Sequence, residues 1–359
     1  MRASNQSQHN GIGKGDQTVM RTLRCVTMLV VLSFASALLL VGCQPKQPTT
    51  TNAPPVPPTP PRPKVALVMK TMSNPFFIAM EKGARRAADE LGVDLDVQTP
   101  PEETDIDKQI AIVEDMIAKK VDVICIAPAG SKEIAPVLKQ AKDAGLFVIN
   151  LDNRVDPQAA EQVGLVLDSY VGADNEEGGY MASKYLAEQL GGKGNVAMLE
   201  GIPGVDNAEA RKRGFLRAMK EYPGITVVAS QSAHWKQPEA LNVMTDILQA
   251  HKDLDGLFCA NDMMALGAIE AIAAAGRTGR IRVTSYDNLE AAQKEILGGR
   301  LDATIEQHPD LMGEWGVRYA VDLVNGKQIP KEKLVQLDLV TKEVVQKQQT
   351  GEQPAGAGS

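Results

Sequence analysis

Nine short apolar runs recur along the chain, each separated from the next by a segment of helical or loop character, and this alternation limits the fold more than any other feature. The runs are KVALVM (64–69), VDLDVQ (93–98), VDVICI (121–126), LFVINL (146–151), NVAMLE (195–200), ITVVAS (225–230), LDGLFCA (254–260), IRVTSY (281–286) and LDATIE (301–306). Between them lie segments such as NPFFIAMEKGARRAADELG and TDIDKQIAIVEDMIAKK. In the second, Ile106, Ile110, Ile112, Val113, Met116 and Ile117 fall on one face at helical spacing. Strand–helix–strand units predict an α/β protein with parallel sheets covered by helices on both faces. One sheet of nine or ten strands would satisfy the pattern, but two smaller Rossmann-like sheets fit the usual domain size better. Helix starts agree. Asn74-Pro75 offers a cap followed by proline at the first helical position, and Asp206 with Glu209 has capping-box spacing.

The two ends of the chain do not follow the repeat. Residues 20–43 read MRTLRCVTMLVVLSFASALLLVGC, with Arg21 and Arg24 ahead of an apolar stretch. That is the form of a secretory signal; a membrane-spanning helix would need about 20 apolar residues. Leu40-Val41-Gly42-Cys43 resembles the bacterial lipobox, in which the cysteine is lipidated and becomes the mature N-terminus. Residues 1–43 are therefore expected to be a signal peptide, with Cys43 the lipidation site and Met20 an alternative start. Residues 44–63 hold nine prolines, so they predict an extended spacer. At about 3.1 Å per residue such a spacer reaches about 60 Å. The tail 347–359 reads as disordered.

Composition excludes several classes. The net charge of −7 argues against a nucleic-acid surface. Cys25 lies in the leader, while Cys125 and Cys259 lie inside apolar runs and read as buried thiols. No CxxC spacing suggests zinc or redox chemistry, and the four histidines are scattered, so no metal or cofactor is expected.

In open parallel sheets ligands bind beyond the carboxyl ends of the strands. Following each run in turn gives Lys70 with SNPFF behind it, Asp152, Asn261, Asp287 and Gln307; Arg211 lies in the segment after NVAMLE, and Trp235 follows ITVVASQSAH. Asn74, Phe76 and Phe77 belong to the same rim. Such a set suits a neutral polyol. Each hydroxyl donates and accepts, carboxylates accept, Lys and Arg donate, amides do both, and aromatic faces pack against C–H groups. Lys70 and Arg211 balance Asp152 and Asp287, whereas an anion site would show surplus cations. Each residue also has a plainer reading. Asn74 could serve only as a helix cap, Asp152 could end a strand in a turn, and Arg211 could be one charge of a solvated helix face. Phe76 and Phe77 could be core, and Lys70 could pair with a surface carboxylate. Trp235 lies in the polar stretch SAHWKQPE, unusual for core. Trp315 reads as ordinary helix packing.

KTMSNPFF, NLD ending at Asp152, EARKRGF, FCANDMMALGA, YD at 286–287 and ATIEQHPD, in this order over about 280 residues, resemble the type I periplasmic sugar-binding proteins of ABC transporters. The ribose-binding and D-allose-binding branches look nearest. The resemblance implies two lobes joined by three crossings, near 172–175, 306–308 and 335–338. The N-terminal lobe would comprise 64–173 and 308–336, and the C-terminal lobe 174–307 and 337–346. It assigns Lys70, Asn74, Phe76, Phe77 and Asp152 to the ligand from the first lobe, and Arg211, Trp235, Asn261 and Asp287 from the second, with Gln307 near the hinge. Lys70 matches the allose pattern where ribose binders have serine. Asn153 and Ala127 replace an arginine and an asparagine of the ribose pattern, so an aldohexose is favoured over ribose.

The implied function is capture of a monosaccharide by hinge closure and delivery to an ABC permease with a separate ATPase subunit. The protein would be a lipid-anchored monomer in the periplasm or on the outer cell surface, and not an enzyme. A sensor for chemotaxis or a membrane kinase would use the same pocket. A transcription repressor of this architecture carries a DNA-binding helix-turn-helix before the first lobe, and here that space holds the signal and spacer. A nucleotide-dependent enzyme lacks support: no GxGxxG opens a helix after a strand, no GxxxxGK[ST] occurs, and GGKGNV (191–196) precedes a strand.

Overall fold

The computed structural model describes residues 62–350. The signal segment with Cys43, all but the last two residues of the proline-rich spacer, and the end of the tail lie outside them.

The first sheet and its helices run β1 (Lys64–Val68), α1 (Pro75–Leu91), β2 (Asp94–Gln98), α2 (Ile106–Lys119), β3 (Val123–Ile126), α3 (Ala135–Asp143), β4 (Phe147–Leu151), α4 (Pro157–Val163) and β5 (Ser169–Gly172). The second runs α5 (Asn175–Gln189), β6 (Lys193–Glu200), α6 (Asp206–Glu221), β7 (Gly224–Ser232), α7 (Gln237–Ala250), β8 (Leu254–Cys259), α8 (Asp262–Ala274), β9 (Arg282–Thr284), α9 (Glu290–Leu297) and β10 (Ala303–Glu306). The chain then returns. Helix α10 (Pro309–Val324) packs on α1, and β11 (Glu332–Leu334) joins β5. Strand β12 (Asp338–Thr341) then pairs with β10, and α11 (Lys342–Thr350) packs on α9. The sheet orders are β11-β5-β4-β3-β1-β2 and β12-β10-β9-β8-β6-β7. All strand pairs are parallel except β10 with β12.

Alternation along β1 shows why its run is apolar throughout. Val65 and Leu67 enter the core beneath α1 and α10, while Ala66 and Val68 enter the core beneath α2 and α3. A strand covered on both faces has no polar side to offer. Helices α1 and α10 cross where a Cβ on Gly83 would lie 1.8 Å from the Asp310 carbonyl oxygen, so only glycine permits that approach.

The structure departs from the sequence reading in four places. Strands β5, β11 and β12 add to the nine runs. Strand β12 is antiparallel, because the chain enters it directly from the neighbouring sheet rather than through a crossover helix. Helix α6 begins at Asp206 itself with Val205 as its cap residue, so the expected capping box is absent; Glu209 Oε1 instead accepts from Gly204 N–H at 2.9 Å. Helix α11 continues to Thr350, through residues expected to be disordered, and it buries Val345.

Candidate functional site

The turns that end the strands of both sheets converge on one small cavity. The backbone is unusual here. Asp152, Trp235 and Asp287 have φ of 56°, 66° and 115°, in the left-handed region. Such conformations cost about 1–3 kcal/mol each and persist only where the surroundings impose them. At these three positions they turn a side chain from its strand end into the cavity.

In the first half, Lys70 leaves β1 buried, its Nζ 3.4 Å from Asp152 Oδ2 and 5.8 Å from the centre of the Phe77 ring. Phe76 and Phe77 open α1 and meet edge to face at 5.1 Å. Both belong to the core and both reach the cavity wall, so the two readings of them hold together. Asn74 also does two things. Its Oδ1 accepts from Phe76 N–H at 3.0 Å as the cap of α1, and its Nδ2 donates to Glu103 Oε1 at 3.0 Å. Glu103, in the turn after β2, is a cavity residue that the sequence reading missed. Burial pushes its pKa up, against the opposing pull of Lys70, toward the protonated form that can donate.

In the second half, α6 carries Arg211 into the cavity. Its Nε donates to Asn175 Oδ1 at 2.9 Å and its Nη1 to the Ala260 carbonyl at 2.7 Å. The guanidinium lies 3.6 Å from the Tyr286 ring centre and 5.5 Å from that of Trp235. Asp287, in the loop after β9, is 3.5 Å from Arg211 Nη1 and accepts from Gln307 Nε2 at 2.8 Å. Burial holds its pKa well above the usual carboxylate range, opposed by Arg211. Asn261 caps α8 through Met264 N–H at 2.9 Å and also lines the cavity. Behind them, buried Asp262 accepts from Ser285, from Thr304 at 2.8 Å and from Leu289 N–H at 2.7 Å, which fixes the loop that presents Asp287.

All ten side chains singled out from the sequence line this one cavity, together with Glu103 and Asn207. Trp315 lies elsewhere, beside Tyr319 and under Lys333. Three atoms of the wall are buried without a hydrogen-bond partner: Asn207 Oδ1, Trp235 Nε1 and Gln307 Oε1. Leaving such groups unmade costs about 1–3 kcal/mol each. They call for a guest that both donates and accepts. The wall holds two cations against three carboxyl groups, of which burial pushes Glu103 and Asp287 toward the protonated form. Among the described residues no group of His, Cys, Asp and Glu could hold a metal ion.

The family profile of the periplasmic binding protein domain matches residues 65–328. The D-ribose/D-allose-binding protein of Pseudomonas aeruginosa is 39% identical over 274 residues, 75% of this chain and 85% of that protein. The D-allose-binding periplasmic protein of Escherichia coli is 35% identical over 277 residues, 77% of this chain and 89% of that protein. Among solved structures, an ABC transporter periplasmic solute binding protein from Actinobacillus succinogenes with bound D-allose is 44% identical, with a TM-score of 0.75. That match covers 79% of this chain and 99% of the other.

Proposed function

The chain belongs to the periplasmic binding proteins, and on that premise we propose that it captures one neutral monosaccharide between its two halves and hands it to an ABC permease. The ligand is an aldohexose such as allose, or ribose. Asp152 and Asp287 accept from hydroxyls, Lys70 and Arg211 donate, and Asn74, Asn261 and Gln307 serve in either sense. Phe76, Phe77 and Trp235 cover the C–H faces of the ring. The observation that carries this reading is the trio of unpartnered atoms on Asn207, Trp235 and Gln307, which need a donor and acceptor guest.

The mechanism is closure about three crossings near 172–175, 306–308 and 335–338. The ends of β5 at Gly172 and β10 at Glu306, and the passage from β11 to β12 between sheets, support this placement. Sugar on one rim completes the hydrogen bonding of the other, so closure is favoured only with the right ligand. Cys43 anchors the protein by its lipid outside the cytoplasm, and the proline-rich spacer sets its reach.

Thermal-shift screening of the full chain against aldoses, polyols and nucleosides tests the proposal. A tight ligand raises the melting temperature by mass action. The expected result is a clear rise with an aldohexose or ribose; a rise only with charged ligands contradicts it.

A further inference from the structure

Helix α6 has no cap of its own. Its cap residue is Val205, which makes no side-chain hydrogen bond to the helix, although its φ of −84° and ψ of 129° are those of an ordinary cap position. The first N–H groups of a helix have no partner within it and need one from outside. Here two of them find it across the cleft. Asp206 N–H donates to Ser131 Oγ at 3.0 Å, and Asn207 N–H donates to Asn153 Oδ1 at 3.2 Å. Ser131 and Asn153 lie in the loops after β3 and β4 of the first sheet, whereas α6 covers the second. The acceptors are held in place: Asn153 Nδ2 donates to Ser131 Oγ at 3.1 Å and to the Pro128 carbonyl at 3.0 Å. Both residues are buried.

We propose that Ser131 and Asn153 are positioning residues that cap α6 only when the two halves meet, and so set affinity without touching the ligand. When the halves part, the α6 amides turn to water and the cap is lost. Closure restores it and sets Asn207 in place, with its unpartnered Oδ1 on the cavity wall. A binder whose competent state is only partly populated loses apparent affinity by that fraction, for every ligand alike. This inference rests on the sugar-binding reading for its ligand, but the capping contact stands apart from it.

The test uses the full chain with substitutions outside the cavity wall. Ser131→Ala should weaken every sugar bound by the wild type about fivefold, the effect of losing one helix cap, with the ratio between sugars unchanged. Ser131→Thr, which keeps a hydroxyl, should restore affinity. Val205→Thr, which offers α6 a cap within its own half, should lower affinity without lowering the melting temperature of the ligand-free protein. Unchanged affinity in Ser131→Ala, or a changed ratio between two sugars, overturns the proposal. If the wild type binds no sugar, the ligand reading fails by itself, and small-angle scattering of the ligand-free chains decides the capping contact. A larger radius of gyration in Ser131→Ala than in wild type supports it, and equal radii overturn it.

Discussion

Arg211 Nη1 and Asp287 Oδ1 lie 3.5 Å apart with both side chains buried, while the same Nη1 is bound to the Ala260 carbonyl at 2.7 Å. The guanidinium is thus fixed by backbone, amide and aromatic partners more than by its charge partner. Asp287 in turn is held by Gln307, whose Oε1 remains free. Pre-set groups of this kind lose little freedom when a ligand arrives.

Gln307→Met removes the donor to Asp287 and the free acceptor together. Leaving a buried hydrogen-bonding group unmade costs about 1–3 kcal/mol, so sugar affinity should fall about 5- to 100-fold. Isothermal titration of the substituted chain measures it.

Trp235→Phe keeps an aromatic face but loses the Nε1–H that has no partner within the protein. Loss of one neutral hydrogen bond, about 1 kcal/mol, predicts roughly fivefold weaker binding. The lost N–H costs the ligand-free protein nothing, but the smaller ring leaves a gap in buried packing, so the melting temperature without sugar should fall modestly. Paired calorimetry and thermal unfolding check both halves of the statement.

Gly201 packs directly against the same ring: a Cβ there would lie 2.0 Å from Trp235 Cζ2. Gly201→Ala should push the indole into the cavity, weaken sugar at least as much as Trp235→Phe, and destabilise the fold by about 1–3 kcal/mol through overpacking. Denaturant unfolding reads the second effect and titration the first.

Asp262 supplies a pH dependence. Burial outweighs its three donors and its pKa is pushed up to about 7 from the ordinary 3.8. Through that window the native state keeps a proton that the unfolded chain has released, so stability falls as pH rises. The contribution is whole below the ordinary carboxylate value and lost on passing the native one. Asp287, also raised by burial, acts in the same direction. Urea unfolding at about pH 5 and about pH 8 should show the wild type losing more stability than Asp262→Asn between the two.

Much of this was legible in the sequence, for physical reasons. Strands covered on both faces must be apolar along their length, so β1, β3, β4 and β8 announced themselves. The rule that ligands bind past strand ends then led to Lys70, Asp152, Asn261, Asp287 and Gln307. The six ordered motifs pointed to the periplasmic binding protein family, which the profile match bears out. Other features gave no such signal. Strand β11 reads EKL, with one apolar residue, and owes its existence to pairing with β5. Glu103 stands in PEETD beside Glu102, and only the fold distinguishes the one on the cavity wall from its exposed neighbour. Asn207 was hidden inside an apparent capping box whose amides are in fact capped from across the cleft.

The central claim is that side chains from both halves hold one sugar together. Asp152→Ala removes an acceptor from the first half, and Arg211→Ala removes the fixed donor of the second. Calorimetric titration of both against the sugar bound by the wild type should show each losing about 100-fold or more in affinity, as truncating a buried charged partner does. Near-normal affinity in the two substituted proteins would contradict the account.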